Sequence, residues 1–362
     1  MDAEQNIASQ FFPAGSRKQP APAVEAIGQG VINDTFLVSA KEEFILQRLN
    51  KSVFREPVRV MENLRTLLDH VAQKSREQDI PLQFPDILQS RDGLDYYIDD
   101  QKQFWRAISF IKDSKSYDVI TGPAQAKLVG KALGQFHSLV QDIPPNRLYE
   151  TLPEFHVTPR YVQAYRKALL ALSKRKSNPM LDHCMEFANA RLNSCSVLQD
   201  AIEDKILRLR VIHGDPKLNN FLFNRTGNKV LSLIDLDTLN PGLIHYDIAD
   251  CLRSVCNLSG ENSNDFDSVN FDLEICSALL PAWLAQARNF MTLQDYQFIY
   301  PAIRLLPLEL GLRFLSDYLL GNKYFKVEHP EQNIERAIVQ FKLVYDIEQK
   351  EDEIQEIISQ CL

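Results

Sequence analysis

The 362-residue chain predicts an α+β fold of two unequal lobes, a small antiparallel sheet carrying one helix and then a larger, mainly helical body. Three observations predict it. Up to residue 112 the apolar residues come in short runs bounded by Gly, Asn or charged residues. Beyond that point they recur at helical spacing, and residues 211–237 alone interrupt the helical part with two short strands.

In the first lobe, residues 1–112, AVEAIG, TFLVSA and EFILQRL read as strands because short apolar runs lie between turn residues. EPVRVMENLRTLLDHVAQK reads as a helix, with Val60, Leu64, Leu67, Leu68 and Val71 at helical spacing. Pro57 suits its first turn, where a missing N–H costs nothing. RDGLDYYID and QFWRAISFI complete the sheet, and an extended crossing near Phe110 to Ser114 leads into the second lobe, residues 113–362. There AQAKLVGKALGQFHSLV and the segments 160–173, 180–207, 272–290 and 294–320 suit amphipathic helices. The last segment, 331–360, sets Ile334, Ala337, Ile338, Phe341, Val344 and Tyr345 on one stripe ahead of the acidic run DIEQKEDEIQE.

Hydrophobic residues at 45% and charged residues at 24% match an ordinary globular protein able to bury a core. A formal charge of −8 with no basic block argues against a nucleic-acid or anionic-membrane surface and leaves small neutral or cationic partners open. The cysteines, Cys184, Cys195, Cys251, Cys256, Cys276 and Cys361, lack the close paired spacings of zinc sites, so reduced, mostly buried thiols are expected. No apolar run has the length of a signal peptide or of a membrane span, and a cytoplasmic protein is expected.

The chemistry concentrates in VIHGDPKLNNFLFNRTGNKVLSLIDLD, residues 211–237. Unpaired carboxylates in apolar surroundings call for a positive partner. Phosphoryl transfer needs a carboxylate to receive the proton of the attacking hydroxyl, oxygen ligands for magnesium on nucleotide phosphates, and a cation facing the transferred group. Asp215, Asn220 and Lys217 supply these three roles, and Asp235 in the following LIDLD strand completes the metal site. Period-two alternation puts Asp237 on the face of Asp235 as a second ligand. His213 reads as a structural hydrogen-bonding residue. Asp247, in NPGLIHYDIADCLRS, reads as a structural residue at a helix start. Alone, HGDPKLNN would pass for a polar turn; the second carboxylate at a kinase-like interval favours a kinase-type site binding ATP and Mg²⁺.

On the nucleotide side, IGQGVINDTFLV puts Gly28 and Gly30 at a hairpin bend suited to close approach of phosphates, with Asn33 in the same segment. A kinase also places a cation on its third strand, paired with a helix carboxylate. FILQRLN has no lysine; of Gln47 and Arg48, which alternation sends to opposite faces, Arg48 is favoured for its persistent charge, with Glu62 as its partner. The ATP base is expected against Ala107 to Ile111.

HGDPKLNN, LIDLD and YDIADCLRS together resemble the aminoglycoside phosphotransferase and choline kinase superfamily, a protein-kinase-like fold acting on small molecules, whereas the DFG and APE signatures of protein kinases are absent. Within it the chain is similar over nearly its whole length to bacterial N-acetylhexosamine 1-kinases, through GQGVINDTFLV, FILQRLN, KLNNFLF, LIDLDTLNPG and ELGLRFLSDYLLGNKYFKVEHPEQNIERA. The resemblance implies ATP between two lobes and transfer of its γ-phosphate to the anomeric hydroxyl of a hexosamine. It also supports the roles given to Asp215, Asn220 and Asp235. Those kinases carry a sugar-holding His where this chain has Val31, a departure that bears on which sugar is taken.

Glu309, Arg313 and Asp317 recur every four positions in IRLLPLELGLRFLSDYLL, with Tyr318 beside them. Such a face suits either a sugar's hydroxyls or an internal ion-pair ladder. The resemblance favours Arg313 and Asp317 as sugar-binding residues, with Tyr318 and Tyr324 as aromatic neighbours. Two rivals stay open. One is an amine kinase using DIEQKEDEIQE as an acidic cradle, although such a run is usually a solvated face. The other is a kinase-like binding protein without catalysis, suggested by the missing strand lysine.

Overall fold

The computed structural model of the protein describes residues 3–12, 22–27, 32–171 and 178–362. Gly28, Gly30 and Val31 lie outside the described residues. After a short helix α1 (Ala3–Ala8) come strands β1 (Ala23–Ala26), β2 (Asp34–Ser39) and β3 (Phe44–Leu49), helix α2 (Pro57–Lys74), and strands β4 (Ile87–Leu88), β5 (Tyr97–Ile98) and β6 (Phe104–Ser109). These strands form one antiparallel sheet in the order β1-β2-β3-β6-β4, with β5 also on β6.

Register sorts the side chains of this sheet. Leu46 faces Ala107, Gln47 faces Arg106 and Arg48 faces Trp105 across β3 and β6. Phe44, Leu46, Trp105 and Ala107 turn to one face and pack with Ala8 and Phe11. Leu49 and Phe104 turn to the other and pack with Val60, Met61, Leu64 and Leu67 of α2. Burying each such large side chain is worth about 1.5–3 kcal/mol, so tertiary contact rather than propensity holds α2. The N-terminal helix was not expected; six residues are too few for a periodic signal, and α1 gains its reason from the sheet it covers.

The larger body contains β7 (Ser114–Lys115), α3 (Pro123–Val140), α4 (Thr158–Leu170), α5 (Pro179–Asn189), α6 (Val197–Glu203), β8 (Arg210–Ile212), β9 (Phe221–Asn224), β10 (Val230–Leu233), β11 (Asn240–Gly242), α7 (Ile244–Val255), α8 (Leu273–Ala287), α9 (Leu293–Gln297), α10 (Ile299–Leu319), α11 (Gln332–Gln349) and α12 (Glu351–Ser359). β9 pairs with β10 and β7, and β8 with β11. Gly130 lets α3 lie directly on α8, since a Cβ there would collide with the Leu279 carbonyl oxygen. α10 runs through the middle, burying Ile303, Leu306, Leu312 and Leu315.

Three expected helical stretches are divided. The 180–207 stretch breaks between α5 and α6, where the Ser194 hydroxyl donates to the Arg191 carbonyl and local bonding competes with the helix. The 294–320 stretch divides at Phe298, and 331–360 divides at Lys350, where φ −108° and ψ 20° leave the helical range. Tyr345 is 53% exposed and does not belong to the buried stripe of α11. All six cysteines are free and five are buried, as expected. Among the described residues no helix is long and apolar enough to cross a membrane.

Candidate functional site

β8 ends at Ile212, and the next residues turn sharply through Gly214, whose φ of +90° favours glycine and whose Cβ would clash with Thr238. Asp247 of α7 pins the turn: its carboxylate accepts from the His213 and Gly214 N–H groups, each at 2.8 Å. The His137 ring completes the set, because its Nδ1 accepts from Trp283 Nε1 and its Nε2–H donates to Asp247 at 2.8 Å. Asp247 is therefore structural, acting on the loop rather than capping its own helix. His213 is buried, donates through Nε2 to the Ile234 carbonyl, and is held by burial below the ordinary histidine pKa.

His156 fixes the same loop from a second side. Its Nε2 bonds the Gly214 carbonyl at 2.9 Å and its Nδ1 the Glu309 carboxylate at 3.0 Å, while Thr158 donates to the other Glu309 oxygen. A carbonyl accepts only, so Nε2 carries a proton. Burial disfavours the charged ring, yet Glu309 outweighs it and raises the His156 pKa.

The turn delivers Asp215, Lys217 and Asn220 together. Lys217 Nζ lies 3.0 Å from Asp215 Oδ2. Burial alone would raise the Asp215 carboxyl, but Lys217 holds its pKa below the usual range, and Asp215 in return raises that of Lys217. Asn220 donates through Nδ2 to the Asp215 carbonyl oxygen at 2.7 Å, leaving its own Oδ1 for another partner. The Ile234 N–H donates to the Asn220 carbonyl at 2.9 Å, which sets Asp235 beside this turn.

Asp235 has φ 64° and ψ 52°, a left-handed conformation that costs an Asp side chain energy. It is solvent-exposed, with the charges of Asp237, Lys217, Asp215 and Arg106 around it. Desolvation and then the neighbouring Asp237 charge push its carboxyl up to about 7, with Lys217 opposing.

The expected LIDLD strand stops at Leu233, and Leu236–Thr238 form a 3₁₀ turn, so period-two alternation does not apply to Asp235 and Asp237. Asp237 is corrected as a second metal ligand. It is buried, Asn33 Nδ2 donates to its Oδ2 at 2.7 Å, and Arg106 Nη2 lies 2.5 Å from its Oδ1, an ion contact lacking hydrogen-bond alignment. Asn33 also accepts the Asn50 N–H and so joins β2 to the turn after β3.

Arg48 is corrected as well. It lies on the α1 side of the sheet, 39% exposed, bonded to Asp34 through Nε and Nη2 at 2.9 and 2.6 Å. Glu62 is exposed on α2, and no ion pair between it and Arg48 occurs among the described residues. Gln47 points the opposite way, its Oε1 accepting from Arg106 Nε at 3.0 Å and Nη2 at 2.7 Å. Arg106 escaped the sequence reading because only the β3–β6 register reveals it as the cross-strand partner of Gln47. Asn63, one residue from Glu62, ties α2 across to the Leu239 and Tyr149 carbonyls.

On the acceptor side, Arg313 lies over the rings of Phe155, Tyr161 and Phe325 at 5.4, 5.2 and 5.6 Å. Burial opposes its charge, while Tyr161, Tyr324, Glu309 and Asp215 nearby raise its pKa. No hydrogen-bond or ion-pair partner of Arg313 occurs among the described residues. Asp317 is corrected as a sugar ligand: its oxygens accept from the N–H groups of Lys323, Tyr324 and Phe325 and from Asn333 Nδ2. It shapes the loop that brings Phe325 to Arg313. Tyr318 accepts from Asn178 Nδ2 at 3.2 Å, and Tyr324 is half-exposed against Phe325. The ion-pair ladder does not describe α10: Glu309 binds His156 and Thr158, Asp317 binds the following loop, and Arg313 lies over aromatic rings.

Among the described residues no three His, Cys, Asp or Glu side chains gather in ligating geometry. One amide and one carboxylate oxygen, from Asn220 and Asp235, nonetheless fit magnesium, which takes few protein ligands beside phosphates and water. An open hollow of about 350 Å³ elsewhere is lined by Arg191, Ser194, Arg304 and Glu348 and contains none of these groups.

A family model described as the phosphotransferase enzyme family matches residues 23–280. Solved structures of similar fold include aminoglycoside phosphotransferase from Alicyclobacillus acidocaldarius, 16% identical with a TM-score of 0.65, covering 97% of this chain and 96% of that one. Choline kinase from Cryptosporidium parvum is 15% identical with a TM-score of 0.60, covering 98% of each chain. Spectinomycin phosphotransferase, solved with ADP and spectinomycin, is 13% identical with a TM-score of 0.58, covering 98% and 99%. At such identities the likeness is one of fold, and the antiparallel sheet followed by a mainly helical body matches that protein-kinase-like plan.

Proposed function

The chain belongs to the phosphotransferase enzyme family, and on that premise we propose that it is an ATP-dependent small-molecule kinase whose acceptor is the anomeric hydroxyl of an N-acetylhexosamine or a related sugar. The observation that carries the reading is the convergence of Asp215, Lys217 and Asn220 on one pinned turn, with Asp235 beside it.

Magnesium on the nucleotide phosphates supplies neutralisation of charge on the transferred group. Asn220 Oδ1 and the Asp235 carboxylate are the groups that would hold it. Asp215 orients the acceptor hydroxyl and takes its proton; its depressed pKa keeps it ionised at neutral pH. Lys217, 3.0 Å away, faces the transferred phosphoryl group. The two lobes are taken to meet near residue 112, with the nucleotide against Ala107 to Ile111.

Arg313 supports a neutral acceptor rich in oxygen. A guanidinium with no ion-pair or hydrogen-bond partner among the described residues donates to hydroxyl or amide oxygens and repels a cationic amine, and rings around it suit the C–H faces of a sugar. The amine-kinase alternative draws on what the choline and aminoglycoside enzymes of similar fold are named for. The acidic run offered for it falls at the end of α11 and along α12, whose Ile354 and Ile358 are buried, and no hydrogen bond or ion pair joins its acids to the Asp215 turn among the described residues. Comparing ATP consumption with N-acetylglucosamine, galactose, choline and kanamycin tests the assignment. Turnover with a sugar and loss of it in Arg313→Ala are expected; turnover confined to choline or kanamycin would overturn it.

A further inference from the structure

We propose that Arg106 is the cation that binds the nucleotide phosphates from the sheet, and that its pair with Asp237 does the work that a strand lysine and a helix carboxylate share in other kinases. The inference rests on the kinase reading above. β3 carries Gln47 where a lysine is expected, and Gln47 brings no charge. Its cross-strand neighbour in β6 is Arg106, so the missing charge is supplied one strand over, on the same face.

The geometry orients that charge closely. Gln47 Oε1 grips Nε and Nη2 of Arg106, and Gln47 Nε2 is itself held by donating to Thr35 Oγ1 at 3.1 Å. Asp237 then holds Nη2 two residues from Asp235, whose charge Arg106 also makes less costly. The guanidinium is not saturated. Nη1 has only the Met61 thioether at 4.0 Å, a weak acceptor for two N–H donors in a side chain 3% exposed. A buried guanidinium with spare donors beside the candidate metal carboxylate suits a phosphate oxygen, which accepts in the fork geometry that arginine offers.

The pair also differs in where its carboxylate comes from. Asp237 follows β10 in the helical body, whereas Glu62 of α2 is exposed and takes no part. Asn33 and the Thr151 hydroxyl hold Asp237 in place, through Oδ2 and through its carbonyl, at 2.7 and 2.9 Å. The ion pair thus spans sheet and helical body, and α2, tethered by Asn63, contributes no carboxylate to it.

Calorimetric titration of the full-length chain with ATP, ADP and adenosine, each with Mg²⁺, tests this. Arg106→Gln is expected to weaken ATP and ADP by about tenfold or more while leaving adenosine unchanged. Arg106→Lys should recover part of the loss, and Glu62→Ala should bind all three as wild type does. Equal losses for adenosine and ATP, or no loss for either, would overturn the assignment and leave Arg106 a structural group. Should Arg106→Gln not fold, Gln47→Leu, which removes the grip and no charge, must show the same phosphate-selective loss, and its failure to do so counts equally against the proposal. Wild-type protein that binds no Mg·ATP would instead defeat the kinase reading itself.

Discussion

Asp247→Ala attacks the loop that presents Asp215 without touching any group assigned to the reaction. The carboxylate is fully buried and accepts three hydrogen bonds of 2.8 Å, from the His213 N–H, the Gly214 N–H and His137 Nε2. Each buried donor left without an acceptor costs about 1–3 kcal/mol, which bounds the loss at about 3–9 kcal/mol. Removing the carboxylate also removes its own desolvation cost, so breaking this buried pair should destabilise by about 4 kcal/mol, within the range for such losses. Asp247→Asn keeps the volume but turns an NH₂ group towards a donor, and should cost about half as much. Urea denaturation followed by circular dichroism measures the global loss, and amide exchange at His213 and Gly214 reads the loop locally. Both variants within about 1 kcal/mol of wild type, with unchanged exchange at those two amides, would refute the reasoning.

Other substitutions probe separate parts of the account. Arg48→Ala should lose no more than about 1 kcal/mol, because its bond to Asp34 is half-exposed, and should leave the KM for ATP unchanged. His156 has a folded pKa raised above the ordinary 6.5, so the stability it contributes is complete below that value and is lost as pH rises through the raised one. Thermal midpoints of wild type and His156→Gln should therefore differ most below pH 6.5, and the difference should shrink as pH rises through the raised pKa. Gly130→Ala forces a methyl group against the Leu279 carbonyl and should destabilise by about 1–3 kcal/mol in chemical denaturation, leaving nucleotide affinity intact.

The general plan was legible because its signals are periodic. Val60, Leu64 and Leu67 recur at helical spacing and are all buried in α2, and the strands around Phe36, Leu46 and Ala107 follow from short apolar runs. The turn bearing Asp215, Lys217 and Asn220 was legible because its groups lie within six residues of one another. What escaped the reading depends on contacts between distant residues. Arg106 becomes informative only when β6 is known to pair with β3 in register, and Asp237 only when the chain turns after Leu233 instead of continuing as a strand. Spacing on α10 left Asp317 open between a sugar face and an ion-pair ladder and the resemblance favoured the sugar, yet the N–H groups of a loop six to eight residues later claim it. His156 gave no local signal, since both of its partners lie more than fifty residues away.

Single-turnover phosphate transfer by Asp215→Asn, beside its calorimetric affinity for Mg·ATP, tests the central claim most directly. The account predicts that transfer to the sugar slows by about a hundredfold or more while the nucleotide binds nearly as well as to wild type. Transfer at the wild-type rate in this variant would contradict the role given to Asp215 and, with it, the assignment of the site.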